Sequence, residues 1–349
     1  MREQDLAVAS TACAAEVDAP RAERIVAITT SRRASLVRGD RTVAATTLLP
    51  APGARAVAAF RPETRLRAAD MLLLFTPGTI WGASFLFIAE GLTAVGPFGV
   101  AFLRIAVGCC TLLLLPAARR PLPPSAWPAV ARLGVVWFAL PLSLLPLAEQ
   151  RVSSALTGML NGAVPIFAAA AGALLTRKLP SRRMAGGLGV GLAGALLVAL
   201  PTVREGRSSA AGVLLVLGSI VAYGFAVHLA KPLQQRHGAL PIICRALGVA
   251  ALLTAPLGLR DVAHARWSPA PLLCLVALGA LGTGVAFVIL ATAAGRLGAT
   301  RASATAFVIP GVALALGVLV RGETVASLAV LGALLSLAGV ALLRRAQDP

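Results

Sequence analysis

The sequence predicts an all-α integral membrane protein of ten transmembrane helices in two inverted five-helix repeats. Three observations carry this: an apolar composition, a train of long apolar runs from residue 71 onward, and an internal repeat whose unit holds an odd number of runs. Of 349 residues, 58% are hydrophobic and 13% charged, with a mean hydropathy of +0.84. Soluble domains average about 25% charged residues, and a water-soluble fold could not hide this much apolar surface. In lipid, a helix of roughly 20 apolar residues spans the hydrocarbon and satisfies its own backbone hydrogen bonds.

Residues 1–70 are Ala/Arg-rich, mixed in charge and broken by Pro50, Pro52 and Pro62. They hold no run long enough to span and read as a disordered tail; a second reading starts translation at or near Met71. A secretory signal is not expected, because no sustained apolar core with a cleavage site follows; the stretch from Val43 to Ala51 is only weakly signal-like. Ten spans follow, at 71–90, 97–116, 129–148, 154–175, 184–202, 210–230, 238–258, 270–292, 302–320 and 325–343.

Orientation comes from the loops, since arginine and lysine accumulate on the cytoplasmic side. One side carries Arg61, Arg65, Arg67, Arg119, Arg120, Arg177, Lys178, Arg182, Arg183, Lys231, Arg236, Arg296, Arg301, Arg344 and Arg345. The other carries Arg151, Arg204, Arg207, Arg260, Arg266 and Arg321. Both termini are therefore expected in the cytoplasm. The same distribution disposes of nucleic acid as a partner: the net charge of +18 lies in short gaps between apolar runs and forms no single basic face. Having only two lysines, Lys178 and Lys231, among abundant Ala, Arg, Gly and Pro points to a GC-rich bacterial genome.

An offset of 145 residues superposes Pro165 on Pro310, Gly172 on Gly317, Gly187 on Gly332 and Gly194 on Gly339. Slightly smaller offsets pair Trp81-Gly82 with Tyr223-Gly224, and Arg104 with Arg245. The halves are expected at 71–202 and 210–345. Five spans per half force the second half to cross in the opposite sense, the inverted-repeat plan of many secondary transporters. The basic loop 176–183 against its near-neutral counterpart 321–324 fits that inversion.

The chain resembles the ten-helix EamA-type carriers of the drug/metabolite transporter superfamily. The likeness covers roughly residues 68–345. It rests on Trp81-Gly-Ala-Ser-Phe85, Pro97 through Leu103-Arg104, Asn161-Gly-Ala-Val-Pro165, the Gly-rich run Gly186 to Leu197, and Pro310 with Gly322-Glu323. The resemblance implies export of amino acids or other small metabolites across the inner membrane. One departure stands out: the family's Leu-Gly-Glu at the end of the fourth and ninth helices survives here as Arg321-Gly322-Glu323, whereas the first copy is Thr176-Arg177-Lys178.

Candidate pathway residues follow from polar or helix-breaking groups inside apolar spans. Arg104 and Arg245 are charges in places where charge is expensive, readable as an anion-attracting pair or as structural arginines that reach backbone carbonyls. Pro165 and Pro310 are expected well within helices, bending them and freeing carbonyls. Trp81 and Tyr223 are expected as aromatic walls, with Ser84, Ser143, Thr157, Asn161 and Thr283 as scattered hydrogen-bonding groups; interhelical packing would use the same residue types. His228 is the one candidate for proton exchange. Glu90 and Glu149 end their helices on the outer side and read as solvated.

The step Gly187-xxx-Gly191 serves close helix approach and is no dinucleotide motif, since it lies inside an apolar span. Cys109, Cys110, Cys244 and Cys274 sit in apolar runs and Cys13 in the tail, without metal-ligand or redox spacing. No cofactor or metal is expected. The partners are a small-molecule substrate and the lipid bilayer, and self-association into a homodimer is left open. An enzyme on lipid-linked substrates would need clustered acidic or His groups, whereas six scattered acidic residues lie beyond residue 70. A non-transporting scaffold or sensor remains the alternative to a carrier.

Overall fold

The computed structural model describes residues 68–177, 179–204 and 210–345, and the described residues contain helices and no strands. The expectations for residues 1–67 and for Lys178 lie outside them. We number the helical segments α1 (Ala68–Gly91), α2 (Pro97–Leu113), α3 (Pro124–Glu149), α4 (Ser154–Asn161 continued by Val164–Thr176), α5 (Arg182–Arg204), α6 (Ala210–His237), α7 (Ala239–Ala263), α8 (Pro269–Leu297), α9 (Ser303–Arg321) and α10 (Ser327–Arg345). Eight of these are long and apolar enough to cross a bilayer, and α4 makes nine if its two pieces, bent by 41°, form one span. The other, α2, has 17 residues, about 25 Å of helix at 1.5 Å per residue.

Local chemistry sets the ends. Pro97 opens α2, and the free amides of Phe98 and Gly99 donate to Asp261 Oδ2 at 3.0 Å each, a cap supplied by a distant helix. Ser153 caps α4 by accepting from Leu156 N–H. Gly238 separates α6 from α7 and Gly298 separates α8 from α9, each at φ 85°, where a side chain would be strained. Arg177 (φ 52°) and Gly322 (φ 65°), 145 residues apart, hold the same left-handed C-cap position after α4 and α9.

Helix ends alternate between two faces. Arg296 at the end of α8 approaches Asp70 at the start of α1 at 3.8 Å, and Arg245 near the start of α7 reaches the segment after α2; these mark the first face. On the second face, Arg321 at the end of α9 meets Glu90 at the end of α1 at 3.5 Å, and Gly212 near the start of α6 packs on Arg151 and Val152. Thus α1 starts at the first face and α6 at the second.

Packing is reciprocal. Gly82 of α1 abuts Val312 of α9, and Gly224 of α6 abuts Phe167 of α4; Val312 is Phe167 shifted by 145. Gly134 of α3 lies on the Ala246 carbonyl of α7, and Gly279 of α8 lies on the Arg104 carbonyl of α2. Between α5 and α10, Gly187 meets Gly339 and Leu343 while Gly332 meets Gly194 and Val198. The Ser336 hydroxyl bonds the carbonyl of Gly191, its own repeat position, at 3.2 Å. Both α3 and α8 also carry a π-helical stretch, Gly134–Ala139 and Leu278–Val285. Leucines face outward all round: Leu319 is 81% exposed, Leu114 and Leu252 77% each. An apolar exterior wrapped around a core containing polar groups belongs in lipid.

Candidate functional site

The helices that cross between halves bring several predicted residues together near the middle of the molecule. A π-helical stretch inserts an extra residue and disturbs the regular backbone ladder. In α8 the Gly282 carbonyl there accepts the Trp81 indole N–H at 2.8 Å. One residue on, the Thr283 hydroxyl accepts from Arg104 Nε at 3.0 Å. Arg104 is only 6% exposed, and among the described residues no carboxylate lies within ion-pair distance of it. Tyr223 and Glu149 are the ionisable groups within its electrostatic reach. Ser84 is buried close by, its hydroxyl bonded to the Ile80 carbonyl.

An aromatic cluster walls this region. Phe287 takes the edge of Trp81 at 5.4 Å, of Trp137 at 5.6 Å and of Phe138 at 5.6 Å, while Trp137 and Phe138 stack at 5.1 Å. Tyr223 packs from the α6 side. The sequence offered Trp81 and Tyr223 as aromatic walls and did not offer Trp137, Phe138 or Phe287. The repeat held the signal for two of them, since Trp137 and Phe138 are Gly282 and Thr283 shifted by 145.

A second group assembles at the break in α4. Gly162 abuts the Pro310 ring, and the Asn161 Oδ1 atom beside it is buried without a hydrogen-bond partner among the described residues. Pro165 and Pro310 are not mid-helix as expected: both stand in the first turn of a helical piece, Val164–Thr176 and Ile309–Arg321. The missing N–H costs nothing there, because first-turn amides have no intrahelical acceptor. The interruption therefore precedes the proline.

Arg245 parts company with Arg104. It donates to the carbonyls of Ala118, Arg119 and Arg120 at 3.1–3.5 Å, clasping the first-face end of α2. The reciprocal contacts of Gly279 and Gly134 match Arg104 with Ala246, a shift of 142 that also relates Trp81 to Tyr223. Pairing Arg104 with Arg245 is one residue out of register. His228 points at α4, its Nε2 2.8 Å from the Ala168 carbonyl and its ring against Gly172; it joins neither group. The hydroxyl of Thr157 bonds the Ser153 carbonyl, and Ser143 is half-buried.

The second face departs from expectation at Glu149. Its carboxylate oxygens are buried and have no hydrogen-bond partner among the described residues, not solvated. Nearby Glu323 is fully engaged: Oε1 accepts from Ser154 N–H at 3.0 Å and Ser154 Oγ at 2.7 Å, and Oε2 from Ala155 N–H at 2.8 Å. The surviving carboxylate of the Arg321-Gly-Glu323 motif is thus the N-terminal cap of α4. Arg321 joins Glu323 at 3.6 Å to Glu90 at 3.5 Å. Among the described residues no cluster of His, Cys, Asp or Glu could hold a metal ion.

Comparison with known proteins gives a consistent picture. The EamA-like transporter family matches residues 69–200 and again 210–345. A probable terminal-alkyne amino-acid exporter of Streptantibioticus cattleyicolor is 27% identical over 287 residues, 80% of this chain and 95% of that protein. The uncharacterized transporter YdfC of Bacillus subtilis is 27% identical over 268 residues, 75% and 86% of the two chains. A solved crystal structure aligns over 81% of this chain and 100% of its own, with a TM-score of 0.55 at 18% identity, a likeness of fold alone.

Proposed function

The chain belongs to the EamA-like transporter family, and from that premise we propose that it is a secondary transporter exporting amino acids or other small metabolites across the bacterial inner membrane. Ten crossings in two inverted halves, 71–202 and 210–345, work by alternating access around a central site. The reciprocal packing under fixed offsets supports the inversion, and so do the opposite starting faces of α1 and α6. The arginine-rich first face is the cytoplasmic one and holds both termini.

The observation that carries the reading is Arg104, a buried cation on α2 held by a hydroxyl from α8 of the other half, with no anion in ion-pair distance among the described residues. A charge kept in that setting marks a solute path. It supplies a docking point for a carboxylate, and the aromatic cluster beside it receives an apolar side chain. The exporter named for terminal-alkyne amino acids supports the choice of solute class. Covalent chemistry has no part in this mechanism.

A metabolite-efflux screen comparing wild type with Arg104→Ala tests it. Efflux of at least one amino acid by wild type and its loss in the variant are expected; equal efflux in the two removes Arg104 from the path. A scaffold would show no saturable flux in proteoliposomes. Reporter fusions after residues 120 and 206 are expected on opposite faces.

A further inference from the structure

A pocket of about 380 Å³ opens on the second face, lined by Ala89, Leu92, Thr93, Glu149, Gln150 and Arg321. Glu149, the last residue of α3, lies in its wall with both carboxylate oxygens buried and unpartnered. The charged groups facing Glu149 are Arg104 from α2, and Arg321 and Glu323 from the end of α9. None of them satisfies it: Arg321 is shared between Glu90 and Glu323, Glu323 is spent on the start of α4, and Arg104 bonds Thr283.

Buried acceptors are costly to leave unmade. An ammonium group answers both oxygens at once, because it brings three donors and a positive charge. The pocket brings such a group from the second face to the wall that Glu149 forms. Arg104, within electrostatic reach of Glu149, offers the complementary end. A solute carrying ammonium and carboxylate on one carbon can engage Glu149 and Arg104 in turn, whereas a simple acid or a simple amine leaves one of them unmatched.

We propose that Glu149 is the ammonium-binding residue of the solute path and that, with Arg104, it selects zwitterionic amino acids over the corresponding acids and amines. This rests on the transport reading above and adds to it a residue and a selectivity.

Full-length protein in proteoliposomes tests the proposal with three probes of one carbon skeleton: propargylglycine, its des-amino acid pentynoate, and its decarboxylated amine butynylamine. Wild type is expected to move propargylglycine and to discriminate against the other two. In Glu149→Gln, propargylglycine flux falls about thirtyfold or more, as when one partner of a buried charge pair is removed, and the preference over pentynoate disappears. Glu149→Asp retains the preference; if the Gln variant does not stay monodisperse, the Asp variant's propargylglycine-to-pentynoate ratio decides, and parity there overturns the proposal.

Wild-type flux of propargylglycine in Glu149→Gln would overturn it, as would equal handling of pentynoate by wild type. If Glu149→Gln keeps full exchange at equal pH but loses accumulation driven by a pH gradient, the carboxylate carries a proton and the ammonium assignment falls. Wild type moving neither propargylglycine nor any proteinogenic amino acid contradicts the amino-acid reading itself, a different failure from loss of selectivity alone.

Discussion

An α-helix turns by roughly 100° per residue, so the one-residue slip between Arg104 and Arg245 sends two arginines of similar sequence setting to different surroundings. Arg104 faces the interior beside Thr283, while Arg245 closes over the carbonyls after α2. Arg104→Lys is accordingly expected to reduce transport at least about tenfold, because a point charge cannot reproduce the guanidinium fork. Arg245→Lys keeps transport and changes thermal stability instead; transport rates and melting curves for both variants check this. Both positions were visible in the sequence as charges inside apolar runs, but the register was not: one-residue gaps leave a repeat alignment plausible, and only contacts across the halves fix it. Arg177 offers a second residue-scale test. It holds a left-handed conformation that costs an ordinary L-residue about 1 kcal/mol, so Arg177→Gly is expected to raise stability by up to that amount in detergent unfolding.

Among elements, apolar run length located nearly every helix, because crossing the hydrocarbon requires an apolar run of roughly 20 residues. The break in α4 was only half legible: Pro165 announces an interruption, since it cannot donate to the Asn161 carbonyl and its ring crowds it, but run length gave no sign that the helix restarts at Val164 with Pro165 in its first turn. The fit of Gly162 against Pro310 of α9 is a tertiary contact that run length does not encode. The π-helical stretches of α3 and α8 were not legible in the apolar pattern either. Conversely, the Gly187-xxx-Gly191 run was legible as packing, and the structure uses it against α10. A side chain at Gly332 would come within 2.6 Å of the Val198 backbone nitrogen and 2.7 Å of the Gly194 carbonyl. Gly332→Val therefore forces α5 and α10 apart and is expected to cost about 1–3 kcal/mol, as overpacking does, read as a lowered melting temperature. Glu323→Gln weakens the cap on α4 by about 1 kcal/mol; the same melting experiment shows whether that end of the bundle loosens first.

At the scale of the whole molecule, the medium decides the architecture. Outward leucines and an interior that keeps Arg104 and Glu149 away from water invert the soluble pattern, and composition alone announced that. Sequence placed Glu149 at a helix end and from that read it as solvated; the structure folds the ends of α1 and α9 over it, an arrangement that depends on how the halves interlock. The interlock also bears on mechanism, since each half lends its first helix to the other's fourth, α1 to α9 and α6 to α4. In the alternating-access cycle we propose, two such crossed units rock against one another and expose the Arg104 region to one face and then the other. The most direct test is counterflow. Proteoliposomes loaded with unlabelled amino acid and diluted into trace labelled amino acid should show a transient overshoot of label inside, because a carrier that alternates must exchange one solute for another. Entry that is linear with concentration and indifferent to what is loaded inside, or no entry at all, would contradict the account.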